Sequence, residues 1–351
     1  MLVLNQSLIP EQTARKLLIS LLVVCSVSVA VIALALGGVD IKLARLFTIL
    51  FHPEVTSLEH AVIWQIRLPR LVLAMFVGAG LAACGAAMQA IFRNPLADPG
   101  LIGISSGAAL GAIATIVLGS TLLSGFVENY GIYAVPMGAF IGCLAICAII
   151  YRLSSNGNRF TIVSLLLAGI AVNAIVGAVI GILTMISSDE QLRDLTFWSM
   201  GSLAGNSFNM IVPALCLIVV CCLGITRLAQ PLNLYLLGEQ QAKHLGINVI
   251  SLKKKVFVYT ALCTGAAVAI TGIIGFVGFI VPHIVRLLLG PDHRYLLPIS
   301  MLGGAMLLSL ADILARTLIL PSELPIGLIT SAIGGPFFLV MLFKTYRIKE
   351  L

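Results

Sequence analysis

Apolar runs of about 20 residues, the length a helix needs to cross the hydrocarbon core of a bilayer, follow one another along nearly the whole chain. The windows fall at 17–37, 69–90, 101–120, 134–151, 161–186, 208–226, 256–276, 278–290, 296–316 and 325–343. They predict an all-α integral membrane protein of about ten transmembrane helices, with residues 1–351 as one membrane domain. Composition agrees: 60% of residues are hydrophobic and 10% charged, against about 45–50% and about 25% in a soluble domain. The first run, Leu17–Leu36, has no small-residue cleavage site after it and is read as a span rather than a removed signal. The window at 278–290 is short, and Pro282, Gly290 and Pro291 within and after it predict a broken or re-entrant helix beside a cavity.

The 33 glycines predict close helix packing, because small residues let backbones approach where lipid supplies no hydrophobic drive between helices. Gly107-x-x-x-Gly111, Gly138-x-x-x-Gly142 and Gly177-x-x-x-Gly181 have the matching spacing. All eight cysteines sit in apolar runs with no ligand companions, and are read as small buried hydrophobes. "GAGLAACG" (Gly78–Gly85) and "GAAVAITG" (Gly265–Gly272) share one pattern in spans of opposite direction, the sign of an inverted repeat.

With the N-terminus inside, only Lys42, Arg45, Arg67, Arg70, Arg193 and Arg316 of the 21 Lys and Arg fall outside. The positive-inside rule then puts both termini in the cytoplasm. The net charge of +7 gathers at the inner face, where anionic lipid headgroups are partner enough and no nucleic acid is required.

Ion coupling usually leaves ionisable groups near mid-membrane. Here Asp312 and Arg316 lie at the outer end of a span, and His283 and Arg286 in the short one, which disfavours a secondary transporter. A membrane enzyme is disfavoured too, since no His/Glu/Asp cluster surrounds His283 or Asp312; neither a catalytic constellation nor a metal site is expected. The dipeptide Gly-Lys never occurs, so the chain has no phosphate loop. Energy for transport must come from another subunit, which needs a cytoplasmic docking surface.

The candidate surface is "GEQQAKHLGINVISLKKK" (Gly238–Lys255), the longest polar stretch. Glu239–Leu245 can form about two helical turns, with Ala242 and Leu245 on one face and Gln241, Lys243 and His244 around the rest. Gly246 suits the residue after a helix end, and Asn248 and Ser251 suit the start of the next.

Several motifs now carry a resemblance: "RLPRLVLAMFVGAGLAACGAAMQAIFRNPLADPGLIGISSGAALGA" (Arg67–Ala112), "GEQQAKHLG", "GFVGFIVPHIVRLLLGPDHRYLLP" (Gly275–Pro298), "ADILART" (Ala311–Thr317) and "ELPIGLITSAIGGPFF" (Glu323–Phe338). In this order, from about residue 15 to the C-terminus, they resemble the iron-siderophore, heme and cobalamin permease family of ABC importers. The resemblance implies a type II importer permease of the bacterial inner membrane, working as a homodimer by alternating access at the dimer interface. It also implies two ATPase subunits that bind ATP and Mg, with no cofactor in this chain, and a periplasmic substrate-binding protein. Residues Gly238, Glu239, Ala242, Lys243, His244, Leu245 and Gly246 would then form the coupling helix that fits the ATPase. Arg67, Arg70 and Arg316 would reach outward to glutamates of the binding protein, a task suited to the planar guanidinium fork; Arg316 could instead be held by Asp312 at i−4.

"FRNPLADPGLIGISSGAALGA" and "LRDLTFWSMGSLAG" (Leu192–Gly205) look closest to the heme branch. Ferric siderophore is the alternative cargo, with cobalamin behind it. Imidazole and thioether can ligate heme iron, which makes His52, His60, Met185 and Met200, on or near outside segments, candidate contacts; a headgroup contact or packing is the plainer role for each. Pro95 and Pro99 predict a stiff turn around Asn94 and Asp98.

Overall fold

The computed structural model of the chain describes residues 11–39, 41–51, 57–98, 100, 103–156 and 159–347. Among them the secondary structure is helical apart from a two-residue antiparallel pairing of Ser155–Asn156 with Arg159–Phe160. In chain order come α1 (Glu11–Ala35), the short amphipathic α2 (Leu43–Phe51) and α3 (Leu58–Ala61), which continues through a π-helical stretch, Val62–Arg67, into α4 (Leu68–Phe92). Next are α5 (Ile104–Leu118), α6 (Ser124–Tyr130), α7 (Ala134–Ser154), α8 (Ile162–Met185), α9 (Asp189–Met200) and α10 (Phe208–Thr226). Two short helices, α11 (Ala229–Leu236) and α12 (Glu239–His244), precede α13 (Val249–Thr271), α14 (Val277–Leu289), α15 (His293–Thr317) and α16 (Ile326–Arg347). Six helical segments among the described residues are long and apolar enough to cross a membrane, and Ile19–Ala35, Ile104–Leu118, Val277–Leu289 and Ile326–Met341 are shorter apolar helices that complete the expected ten.

Small residues decide which helix takes the centre. The stretch "GAGLAACGAAMQA" gives α4 a thin waist on every side, and α15, α14, α10 and α13 all pack against it. A Cβ added at Gly85 would collide with the carbonyl of Gly278 on α14, and one at Gly78 with the carbonyl of Gly304 on α15. In the same way Gly107 and Gly111 of α5 face Gly142 and Gly138 of α7 backbone to backbone, so two of the three glycine pairs are packing faces. The third is not: a Cβ added at Gly177 or Gly181 meets no atom of the described residues within 4 Å. Accordingly 78% of the apolar window ending in α4 is buried, against 22% of that in α8.

One expectation needs correction, and the cap expected at Asn248 is present. The segment at 278–290 is not broken: Val277–Leu289 is one continuous short helix, and the irregular backbone precedes it at 272–276, where Phe276 takes a left-handed conformation. Pro282 removes only the hydrogen bond that would end on the carbonyl of Gly278, the carbonyl against which Gly85 packs. Helix α13 starts seven residues earlier than its apolar window, at Val249, because the Asn248 side chain accepts from the Ser251 amide at 3.0 Å and caps it there. Lys253, Lys254 and Lys255 therefore belong to its first turns. The cysteines are all free thiols and mostly buried as expected, but Cys216 is exposed on α10.

Candidate functional site

Helix α12 is held at both ends by local chemistry. Gly238, at φ 136°, starts it, and Glu239 and Lys243 pair along its side at 3.4 Å. At its end the Gly246 amide donates to the Lys243 carbonyl and the Ile247 amide to the Ala242 carbonyl, both at 3.0 Å. With Gly246 at φ +84° this is a Schellman closure, the terminator expected of that glycine. Ala242 and Leu245 do not share a face, contrary to expectation: Ala242 is wholly buried, while Leu245 lies past the helix end and is 56% exposed. Ala242 is thus the foot of α12 on the bundle. Lys243, His244, Leu245 and Gly246 face outward, and Leu237 and Ile250 add exposed apolar surface on either side.

Glu239 also accepts from Lys253 Nζ at 2.9 Å, and this buried lysine holds its carboxyl below the ordinary glutamate range. Nearby, Asn233 of α11 donates to Asp292, the N-cap of α15, at 2.6 Å and accepts from the His293 amide at 2.8 Å. Arg294, bound to the same carboxylate, holds Asp292 well below the usual range. In the turn after α4 the Asn94 side chain accepts from the Leu96 amide and Asp98 from the Gly100 amide, while Pro99, one of the two prolines expected to stiffen it, lies outside the described residues.

The opposite end of the bundle gathers the three arginines, but not as outward-reaching side chains. Arg67, Arg70 and Arg316 are only 5–7% exposed. Arg67 Nη1 donates to the carbonyls of Leu34 and Ala35 at 2.7 and 2.8 Å, and Nη2 to that of Val39. Arg316 donates to the carbonyls of Leu36, at 2.9 Å, and Ala33. A helix C-terminus leaves its last carbonyls without partners and carries partial negative charge. Two guanidinium groups close the end of α1. Arg70 bridges two carboxylates instead, Asp312 at 2.8 Å and Glu323 at 2.7 Å, while Arg316 Nε stands 3.7 Å from the other oxygen of Asp312. Asp312 is buried and Glu323 is 44% exposed, so the cluster opens outward through Glu323. Sequence reading missed Glu323 and the two carbonyl nests, because the partners lie up to 283 residues apart.

Among the described residues the candidate heme contacts lie on three different helices. His52 lies outside the described residues. His60 sits on α3, its ring 6.2 Å from that of Trp64, in the apolar corner made with α1 and α2. Met185 is 89% exposed at the end of α8, and Met200 ends α9 beside Gly327 of α16.

Comparison with known proteins agrees with this architecture. A model of the FecCD transport family matches residues 21–344. The hemin transport system permease protein HmuU of Yersinia pestis is 46% identical over 318 residues, covering 90% of this chain and 93% of that one. Cobalamin import permeases named BtuC are 41% identical: that of Halobacterium salinarum over 82% of this chain and 75% of its own, and that of Klebsiella pneumoniae over 81% and 82%. A solved structure described as an inward-facing conformation of a metal-chelate type ABC transporter superposes with a TM-score of 0.81 at 33% identity, covering 94% of this chain and 99% of that one.

Proposed function

The chain belongs to the FecCD transport family as a multi-pass permease of an ABC importer, and from that premise we propose that its cargo is heme. As such a permease it is not an enzyme; it works with a separate ATPase and a substrate-binding protein. The observation that carries the cargo is the likeness to a hemin permease, higher in identity and coverage than that to the cobalamin permeases. The metal-chelate neighbour makes a ferric siderophore the second reading.

In this reading the α12 end faces the cytoplasm, as do both termini, and lies at the bacterial inner membrane, because most Lys and Arg cluster on that side. There, Leu237, Leu245 and Ile250 give the ATPase an apolar patch ringed by Lys243 and His244. ATP and Mg belong to that ATPase, and this chain carries no cofactor. Two copies of the chain face each other through α8, whose open Gly177 and Gly181 and exposed Ile170, Ile175 and Ile182 support a membrane-embedded partner. Cargo passes along that interface by alternating access. Docking of the binding protein through Arg67, Arg70 and Arg316 requires a carboxylate of that protein to replace a partner they hold within the chain. Glu323, half open and bound to Arg70, is the group it would displace.

The test is uptake into proteoliposomes holding the chain with its ATPase and binding protein, comparing hemin, a ferric siderophore and cobalamin, with and without ATP. ATP-dependent hemin entry is expected. Entry of the siderophore or cobalamin alone would overturn the cargo and leave the family standing.

A further inference from the structure

Positive-inside bias explains Lys254 and Lys255, which are exposed, but not Lys253, which is 5% exposed. Lys253 of α13 reaches Glu239, the first residue of α12, and its Nζ also lies 5.7 Å from the centre of the Tyr235 ring. Tyr235, in the last turn of α11, is the largest fully buried side chain among the described residues. From its other neighbour, α4, comes a second cation: Arg93 caps that helix at φ 48°, a left-handed conformation uncommon for a residue with a side chain. There its guanidinium stands 4.5 Å from the same ring, and Nη2 donates to the Tyr235 carbonyl at 2.8 Å. Two residues before, on the other side of α11 since i and i+2 do not face alike, Asn233 grips the start of α15. Helix α11, which leads straight into the six-residue α12, is thus fastened through one aromatic ring and one asparagine to α13, to α15 and to the central helix α4, and α12 is itself paired to α13 through Glu239.

We propose that Tyr235, clasped between Arg93 of α4 and Lys253 of α13, is the joint through which movement of α12 reaches the membrane-spanning bundle. Cutting it separates ATP hydrolysis from uptake. The proposal rests on α12 being the ATPase contact. Ion pairing and cation–π attraction suit such a joint, because they strengthen when desolvated yet tolerate small rotations of the ring better than interlocked apolar side chains do. Lys253 couples the two ends of the same lever: it is bonded to α12 through Glu239 and rests on α11 through the ring.

The experiment uses the full complex in proteoliposomes and reads three quantities: ATPase retained on the permease, ATP hydrolysed, and cargo taken up per ATP. Arg93→Gln and Lys253→Met are expected to keep the ATPase bound and hydrolysing while uptake per ATP falls by about tenfold, the scale of one desolvated cation–π contact. Tyr235→Phe, which keeps the ring, stays near wild type, whereas Tyr235→Leu behaves like the cation variants. Glu239→Lys uncouples, and the exchange Glu239→Lys with Lys253→Glu, which restores the ion pair but takes the cation off the Tyr235 ring, stays uncoupled. Full uptake per ATP in Arg93→Gln and Lys253→Met overturns the joint, as does loss of ATPase binding in them, which would make these residues props of the docking surface. Leu245→Glu tests the underlying reading separately: if the ATPase stays bound and uptake persists in that variant, α12 is not its contact.

Discussion

Arg70 and Lys253 are both buried cations at the margins of an apolar bundle, yet their surroundings differ in kind. Arg70 sits in a cluster where the neighbouring guanidinium groups are engaged by carbonyls at the end of α1 and its main carboxylate, Asp312, is buried, with Glu323 as the one open member. Lys253 has one carboxylate that is itself 40% exposed and an aromatic ring, beside a surface of open leucines. The contrast separates charge that fixes an architecture from charge poised beside a moving part. In the first, removing Arg70 strands the buried Asp312; in the second, removing Lys253 leaves Glu239, which water reaches.

The largest effect that could break this contrast is expected at the closed end. Arg70→Ala leaves Asp312 buried without its main partner and should lower stability by about 3–5 kcal/mol, read as a fall in melting temperature in detergent. An unchanged melt would remove the cluster from the scaffold. Ala242→Leu tests the foot of α12, where overpacking is expected to cost about 1–3 kcal/mol. Hydrogen exchange should rise across residues 239–246 while the rest of the bundle stays protected, and unchanged exchange there would mean that α12 is held by its caps alone.

A smaller, pH-dependent effect sharpens the comparison. Glu239 is held below its unfolded value of 4.5 by Lys253, so its contribution is fully present above that pH and is lost as pH falls through the lower folded value. Exposure keeps the term under about 1 kcal/mol. Melting curves of wild type and Glu239→Gln should converge on acidification below 4.5, and a constant gap would put the interaction elsewhere. The smallest effect on stability is that of Leu245→Ser, which removes an exposed side chain: the melt should not move, and only affinity for the ATPase should fall.

Much of this organisation is legible along the chain. Ten apolar windows became ten helices because lipid length and internal hydrogen bonding are local requirements, and Gly246 and Asn248 announced one helix end and the next start because caps act within a few residues. Contacts between distant residues were not legible. That Lys253 alone of three lysines turns inward depends on Glu239 and Tyr235, that Arg67 turns toward the end of α1 depends on carbonyls of residues 34, 35 and 39, and that Arg70 turns inward depends on Asp312 and Glu323. Pro282 was misread for the same reason: the loss it causes is local, but the Gly85 backbone that packs over it comes from another helix.

The most direct test of the account is binding of the ATPase subunit to the permease reconstituted in liposomes, measured by co-sedimentation for wild type and Leu245→Glu. A charge placed on this exposed leucine is expected to weaken ATPase binding by about tenfold or more while the permease melts as before. Undiminished binding would contradict it, and the ATPase would have to engage the permease somewhere other than the α12 end.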